Sequence, residues 1–189
     1  VQNEGMKEVL ISCGYSEEKI SVVPNLCNPK FKPSGTNRKK KIVYAGRLIR
    51  KKGVLDLVKS FHDIEPEIRA GWSLEIYGSG PLESKIQEFA EGSKNISLDY
   101  VSSEQLSKIY SESSFLVHSS KYVEPFSRIW LEVMQTNTPI LCSENTSSKS
   151  VLEDKAEFYD PFSRNELKEK LKKMIEKPKL RNRLESNFK

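Results

Sequence analysis

The chain has 189 residues, 37% of them hydrophobic, with nine glycines and nine prolines, enough for one well-buried core in a single domain. Its formal charge of +5 leaves room for an anionic partner, but no apolar run nears the roughly 18 residues of a membrane span and VQNEGMKEVL lacks the basic and apolar regions of a leader peptide. Three cysteines, Cys13, Cys27 and Cys142, are odd in number and form no C-x-x-C pair, which argues against a disulfide framework or zinc site and fits a reducing, cytoplasmic setting.

The first residue is Val, not Met, so a preceding segment is expected. Met6, Val9 and Leu10 have the spacing of a helix stopped near Gly14, and KISVVP reads as a short strand. Residues 28–40 are the one linker candidate. Within and just after it, Arg38, Lys39, Lys40 and Lys41 read as cations solvating a surface; as a nucleic-acid strip the run lacks the interleaved aromatics that stack on bases. From there on, strands at KIVYAG, SLEIYG, ISLDYV, FLVHSS, PILC and EFYD alternate with stretches of helical period. Leu82, Ile86, Phe89 and Ala90 share one helical face, as do Leu167, Leu171 and Ile175. Ser102 with Gln105, and Ser163 with Glu166, have the spacing of capping boxes. The pattern predicts an α/β fold with a doubly wound, Rossmann-like parallel sheet. It forms one domain over residues 1–189, with 1–35 an entry helix and strand and 36–189 the core.

In such a sheet ligands bind beyond the carboxyl ends of the strands, so the turns there are where chemistry is sought. The first, GRLIRKKG, is no Walker loop, but Arg47 and Lys52 bracket it and can converge on one anion; two surface cations at a helix start fit the same pattern. The second, GSGP, carries Gly78 and Gly80 without the third glycine of a dinucleotide fingerprint. Its glycines allow close approach of a ligand, and a plain tight turn into Pro81 at the first helical position fits equally. The third is VEPFSRIWLEVMQ. Pro125 at a first helical position makes Glu124 extended at the loop mouth, and the amides near Phe126, Ser127 and Arg128 form a phosphate cradle. Phe126, Ile129, Trp130, Val133 and Met134 make the buried stripe and leave Glu132 off it. Two carboxylates flanking an anion site can grip hydroxyls on either side of it. Alternatively, Glu132 pairs with Arg128 and Glu124 merely favours a positive helix end.

In their order, VVPNLCNPKFKP, YAGRLIRKKG, IYGSGP, SSEQLSKIY and above all EPFSRIWLEVMQTNTPIL resemble the nucleotide-binding half of retaining glycosyltransferases of the GT-B type, in glycosyltransferase family 4. That resemblance implies a hexosyltransferase whose donor is a UDP-, GDP- or ADP-hexose. Arg47 and Lys52 would hold the diphosphate together with the amides after Pro125. Glu132 would grip the ribose, Glu124 would face the donor sugar near the reacting carbon, and the base would lie against Val101 and Ser102. It implies no metal, since two cations and a helix start can replace magnesium behind a departing diphosphate.

The chain departs from that family at Ser127, where glycine is usual, at Ser119, where proline is common, and in SENTSSKS, which lacks the usual glycines. His118 reads as a packed or hydrogen-bonded histidine and His62 as a helix-surface residue. The acceptor domain of such enzymes, an N-terminal half of similar size, is absent from this sequence. The piece alone is therefore expected to bind nucleotide weakly and transfer little or no sugar, and any peripheral contact with a cytoplasmic membrane face is expected in the other half. The alternative reading is a nucleotide-binding module without catalysis; a basic nucleic-acid binder ranks third.

Overall fold

The computed structural model describes residues 1–23, 25–33 and 37–188. Six parallel strands form one sheet: β1 (Lys39–Ala45), β2 (Ser73–Tyr77), β3 (Ile96–Asp99), β4 (Ser113–His118), β5 (Ile140–Ser143) and β6 (Ala156–Tyr159), in the order β3-β2-β1-β4-β5-β6. All six expected strands are present. Eight α-helices accompany them among the described residues: α1 (Glu4–Ser12), α2 (Val54–His62), α3 (Glu83–Glu91), α4 (Ser103–Glu112), α5 (Arg128–Gln135), α6 (Thr146–Leu152), α7 (Arg164–Glu176) and α8 (Pro178–Ser186). None is long and apolar enough to cross a membrane.

Alternation along the strands sends side chains to two cores, one on each face of the sheet. Ile42 and Tyr44 of β1, with Phe115 and Val117 of β4, meet Leu57 and Phe61 of α2, Ile86 of α3 and Leu171 of α7. Val43 and Ala45, with Leu116, face Tyr110 of α4, Trp130 and Val133 of α5 and Leu152 of α6. A sheet covered on both faces needs strands apolar at every position, and all six residues of β4 are buried. Both sides of the doubly wound fold are therefore encoded in the short Val, Ile, Leu and Phe runs.

The entry segment differs from the sequence reading. α1 ends beside Gly14 as expected, but it buries none of its residues, and Val9 is exposed. KISVVP is not a strand over its described residues: Lys19 closes a 3-10 turn, and the extended Ser21–Val23 stretch is clasped only by Val1, whose ammonium reaches Ser21 O at 2.8 Å and whose carbonyl accepts from Val23 N at 2.7 Å. Pro24 lies outside the described residues. So do Ser34–Thr36 of the expected linker, whose described part is a strap. Phe31 is buried against the Tyr110 ring at 5.7 Å, and Lys32 exchanges hydrogen bonds with Ser107 and Ser111 of α4.

The head of the basic run after it, Arg38, is held inside the fold. Arg38 donates to the carbonyls of Ser111, Ser113 and Asn137 at 3.0, 2.9 and 2.6 Å, and pairs with Glu185 of α8 at 3.1 Å. Carbonyls left over at the ends of α4 and the start of β4 explain the arginine: its planar fork satisfies several acceptors at once. Lys39 pairs with Glu112 and Lys41 with Glu75; Lys39 and Lys40 are exposed and fit the solvated-surface reading. Of the two expected capping boxes, Ser102–Gln105 closes both hydrogen bonds. Ser163–Glu166 closes one, because the Glu166 carboxylate accepts from Asp160 N instead.

Candidate functional site

The chain leaves β1 through α2 toward β2 and β3, then returns through α4 to β4 on the other side of β1. The reversal opens a crevice beyond the carboxyl ends of β1 and β4, the place where an open α/β sheet binds ligands. Two turns wall it, residues 46–53 after β1 and 119–127 after β4, and they are joined directly. Lys121 N donates to Lys51 O at 2.7 Å, and Ser119 Oγ to Lys52 O at 2.8 Å. Gly53, at φ +66°, lies so close to the Ser119 carbonyl that a Cβ there would stand 2.0 Å from its oxygen.

The crevice is a cleft of 490 Å³ that brings Arg47, Lys52, Glu124, Phe126, Ser127, Arg128 and Glu132 together. A second lobe of 300 Å³ runs over Gly78 and Val101, and Gly46 and Arg47 stand at the junction of the two. Two of the sequence candidates lie outside this lining. Gly80 packs beneath the first turn, where a Cβ would press on the Leu48 backbone at 2.7 Å, and the Ser102 hydroxyl is occupied in capping α4. The hydrogen bonds of Leu48 N to Ser79 O and of Leu82 N to Leu48 O show what Gly80 does: it lets the first two turns meet. Among the described residues no three His, Cys, Asp or Glu side chains converge as a metal site.

Pro125 is not the first residue of a helix. α5 starts at Arg128 with Ser127 as its N-cap, and Trp130 N is already bonded to Ser127 O at 3.2 Å. The free amides facing the cleft start are therefore those around Arg128, and Phe126 belongs to the loop. In the loop before α5, Asn3, which also caps α1, donates its amide to the Pro125 carbonyl, and Asn25 donates to the Phe126 carbonyl at 3.3 Å. Gln2 in turn bonds Asn25 at 3.1 Å, and both line the cleft. Pro81 likewise precedes the N-cap Leu82 of α3.

Glu124 does not project from the loop mouth; it folds back and is 7% exposed. Its Oε1 accepts from Lys52 Nζ at 2.7 Å and from His118 Nε2 at 3.0 Å. Burial pushes its carboxyl up, but the His118 contact and then the Lys52 ammonium outweigh it and bring the pKa down to about 2. Lys52 is held over the Tyr122 ring, 5.2 Å from its centre. Arg47, by contrast, is exposed and points no ion pair at the rest of the described chain.

Glu132 is half-buried, and burial raises its pKa against the opposing charge of Arg128. The two do not close an ion pair, so the alternative reading of Glu132 as a surface partner of Arg128 is not what the fold makes. Beside it the Tyr110 hydroxyl is wholly buried, faces the carboxylate and completes no hydrogen bond of ordinary geometry. His118 is packed and hydrogen-bonded, as expected of it, and His62 is a surface residue of α2 set edge-on to Phe89. Sequence reasoning missed Tyr110, Gln2 and Asn25 as wall residues, and Asn3 as a partner of the loop. Asn3 and Asn25 reach that loop across more than a hundred residues of chain.

Comparisons with known proteins bear on the fold and the family. The fold is that of TarM of S. aureus, with a TM-score of 0.83 at 17% identity over 100% of this chain and 38% of that one. It is also that of Anabaena HepE, solved in complex with UDP and glucose, with a TM-score of 0.82 at 15% identity over 100% of this chain and 56% of that one. The exopolysaccharide phosphotransferase SCO2592 of Streptomyces coelicolor is 25% identical over 130 residues, which are 68% of this chain and 14% of that protein. The chain thus spans between 14% and 56% of the length of these proteins, and what it shares with the two structures is the Rossmann-like fold. Residues 28–189, from the strap through the last helix and including every side chain of the cleft except Gln2 and Asn25, match the family glycosyl transferases group 1, and the chain belongs to that family.

Proposed function

We propose that the chain is the donor-binding domain of a retaining glycosyltransferase of family 4, moving a hexose from a nucleotide-diphosphosugar to an acceptor held by another part of the protein, in a cytoplasmic setting. The observation that carries this reading is the cleft at the β1/β4 reversal, which gathers Arg47 and Lys52 from the first turn, Glu124 from the second, and the start of α5 with Arg128 and Glu132. Arg47 and Lys52, with the amides at Arg128, take the diphosphate; they stabilise the negative charge that grows on it as the bond to the sugar breaks. Glu132 accepts the ribose hydroxyls, and Glu124 faces the donor sugar. The base occupies the second lobe against Gly78 and Val101. No metal is called for, because the charge behind the leaving diphosphate is supplied by side chains. HepE, crystallised with UDP and glucose, supports a nucleotide-sugar of this kind.

Calorimetry of the full-length protein against UDP-, GDP- and ADP-hexoses tests the reading, with binding of one of these donors expected and loss of affinity in Glu132→Ala. Equal affinity of wild type and Glu132→Ala removes the ribose assignment. Ser127, buried at the N-cap where its family usually has glycine, is the observation behind the second reading, a nucleotide module without catalysis. Donor binding without transfer by the full-length protein would select it.

A further inference from the structure

His118, the last residue of β4, touches Glu124 in a way that fixes which ring nitrogen must carry a proton. An ionised carboxylate only accepts hydrogen bonds, so the imidazole nitrogen 3.0 Å from Glu124 Oε1, Nε2, must carry a proton. In the neutral ring Nδ1 is then bare, and it lies 3.5 Å from Cys142 Sγ on the neighbouring strand β5. Burial pushes the Cys142 thiol up, so it keeps its hydrogen; its other acceptor is the Ser143 carbonyl at 3.4 Å. The ring cannot swing away, because Trp130 meets it edge-on at 5.5 Å and only 4% of His118 is exposed.

Two donors share Oε1, and they are not equivalent. Lys52 stands in the cleft, where a bound diphosphate competes for its ammonium. His118 is walled off from any ligand, so it is the donor that remains when Lys52 turns to phosphate. Glu124 Oε2 makes no hydrogen bond among the described residues, and the side chain lines the cleft.

We propose that His118 is the positioning residue of Glu124: its Nε2–H pins Oε1 so that Oε2 is presented to the sugar of the donor, with the Cys142 thiol facing Nδ1 behind it. The proposal rests on the reading of Glu124 as the carboxylate at the donor sugar. It adds a residue that does not touch the ligand and acts only through the carboxylate.

Two measurements on the full-length protein decide it. In protein labelled with 15N-histidine, with the His118 signals identified by their loss in His118→Gln, Nε2 is expected to carry a proton. A bare Nε2 overturns the proposal. In calorimetry, His118→Leu is expected to bind UDP-glucose or GDP-mannose about tenfold more weakly while its affinity for UDP or GDP alone stays within about twofold, and His118→Gln, which keeps a donor at the same reach, is expected to restore most of the loss. Equal losses for nucleotide and nucleotide-sugar, or no rescue by glutamine, overturn it. Should wild-type protein bind none of these donors, the donor-site reading falls, while the nitrogen signals still decide the hydrogen-bond chain.

Discussion

Arg47 and Lys52 look equivalent in the sequence, but the structure separates them. Lys52 is held by Glu124 and the Tyr122 ring, whereas Arg47 stands exposed where both lobes of the cleft meet. The exposed guanidinium has the freer reach to a diphosphate. Arg47→Ala in the full-length enzyme is expected to lower kcat by on the order of 10²–10³, the cost of one well-placed donor to a developing anion; a near-normal rate would remove the role. The two carboxylates should also part company on acidification. Glu132, with its pKa raised by burial, takes up a proton at a higher pH than an ordinary glutamate, while Glu124 stays ionised down to about 2. Donor affinity measured by calorimetry from about pH 7 downward should therefore begin to fall above the ordinary glutamate range, and Glu132→Gln should flatten that fall. An unchanged profile in Glu132→Gln would assign the titration elsewhere. At this scale the sequence was legible where a residue's place follows from the strand before it, as for Arg47, Lys52, Glu124 and Glu132. It was silent on Asn25 and on the partner of His118, because their contacts depend on how a loop folds back and on a segment 101 residues distant.

The elements were legible wherever burial on two faces demanded continuous apolar runs, which is why the six strands appear where Val, Ile, Leu and Phe cluster. Boundaries fared worse in segments that make tertiary contacts. Pro125 has the right shape for a first helical position, yet α5 begins at Arg128, and in the loop before it the Pro125 and Phe126 carbonyls accept from Asn3 and Asn25. KISVVP has strand composition, but over its described residues it finds only Val1 to pair with. The turn after β2 is a case in which sequence and structure agree on the residue and differ on the reason. Gly78 stands at φ +151°, and a Cβ there would fall 1.9 Å from the Gly46 carbonyl oxygen, so glycine is required by the neighbouring turn before any ligand is considered. Gly78→Ala is expected to cost about 1–3 kcal/mol of stability, read as a lowered denaturant midpoint with unchanged slope. A midpoint equal to wild type would show that the two turns can separate without penalty.

Across the whole molecule, acid should find two buried carboxylates at once. Glu124 with His118 and Lys52, and Glu157 with Lys170 and Lys173 at 2.8 and 2.7 Å, both have their pKa held down against burial. A carboxylate whose folded pKa is depressed stabilises the fold fully above its unfolded value near 4.5, and that contribution is lost as pH falls through the folded value. Below about pH 5 thermal midpoints are thus expected to decline, less steeply in Glu157→Gln; an equally steep decline in Glu157→Gln would contradict the pairing with Lys170 and Lys173. The overall architecture was legible because the alternation of runs allows few arrangements, while the stapling of the strap and α8 by Arg38 was not, since a basic run gives no sign of which carbonyls it will serve.

The backbone bond from Lys121 to Lys51, the Ser119 hydroxyl on Lys52 and the contact of Gly53 with the Ser119 carbonyl weld the two ligand-facing turns into one rigid bracket. Chimaeras that transplant only one of them from a relative break the weld, whatever the new turn recognises. If the proposed donor site is right, retargeting it to another sugar is accordingly a matter of exchanging both turns as a matched pair.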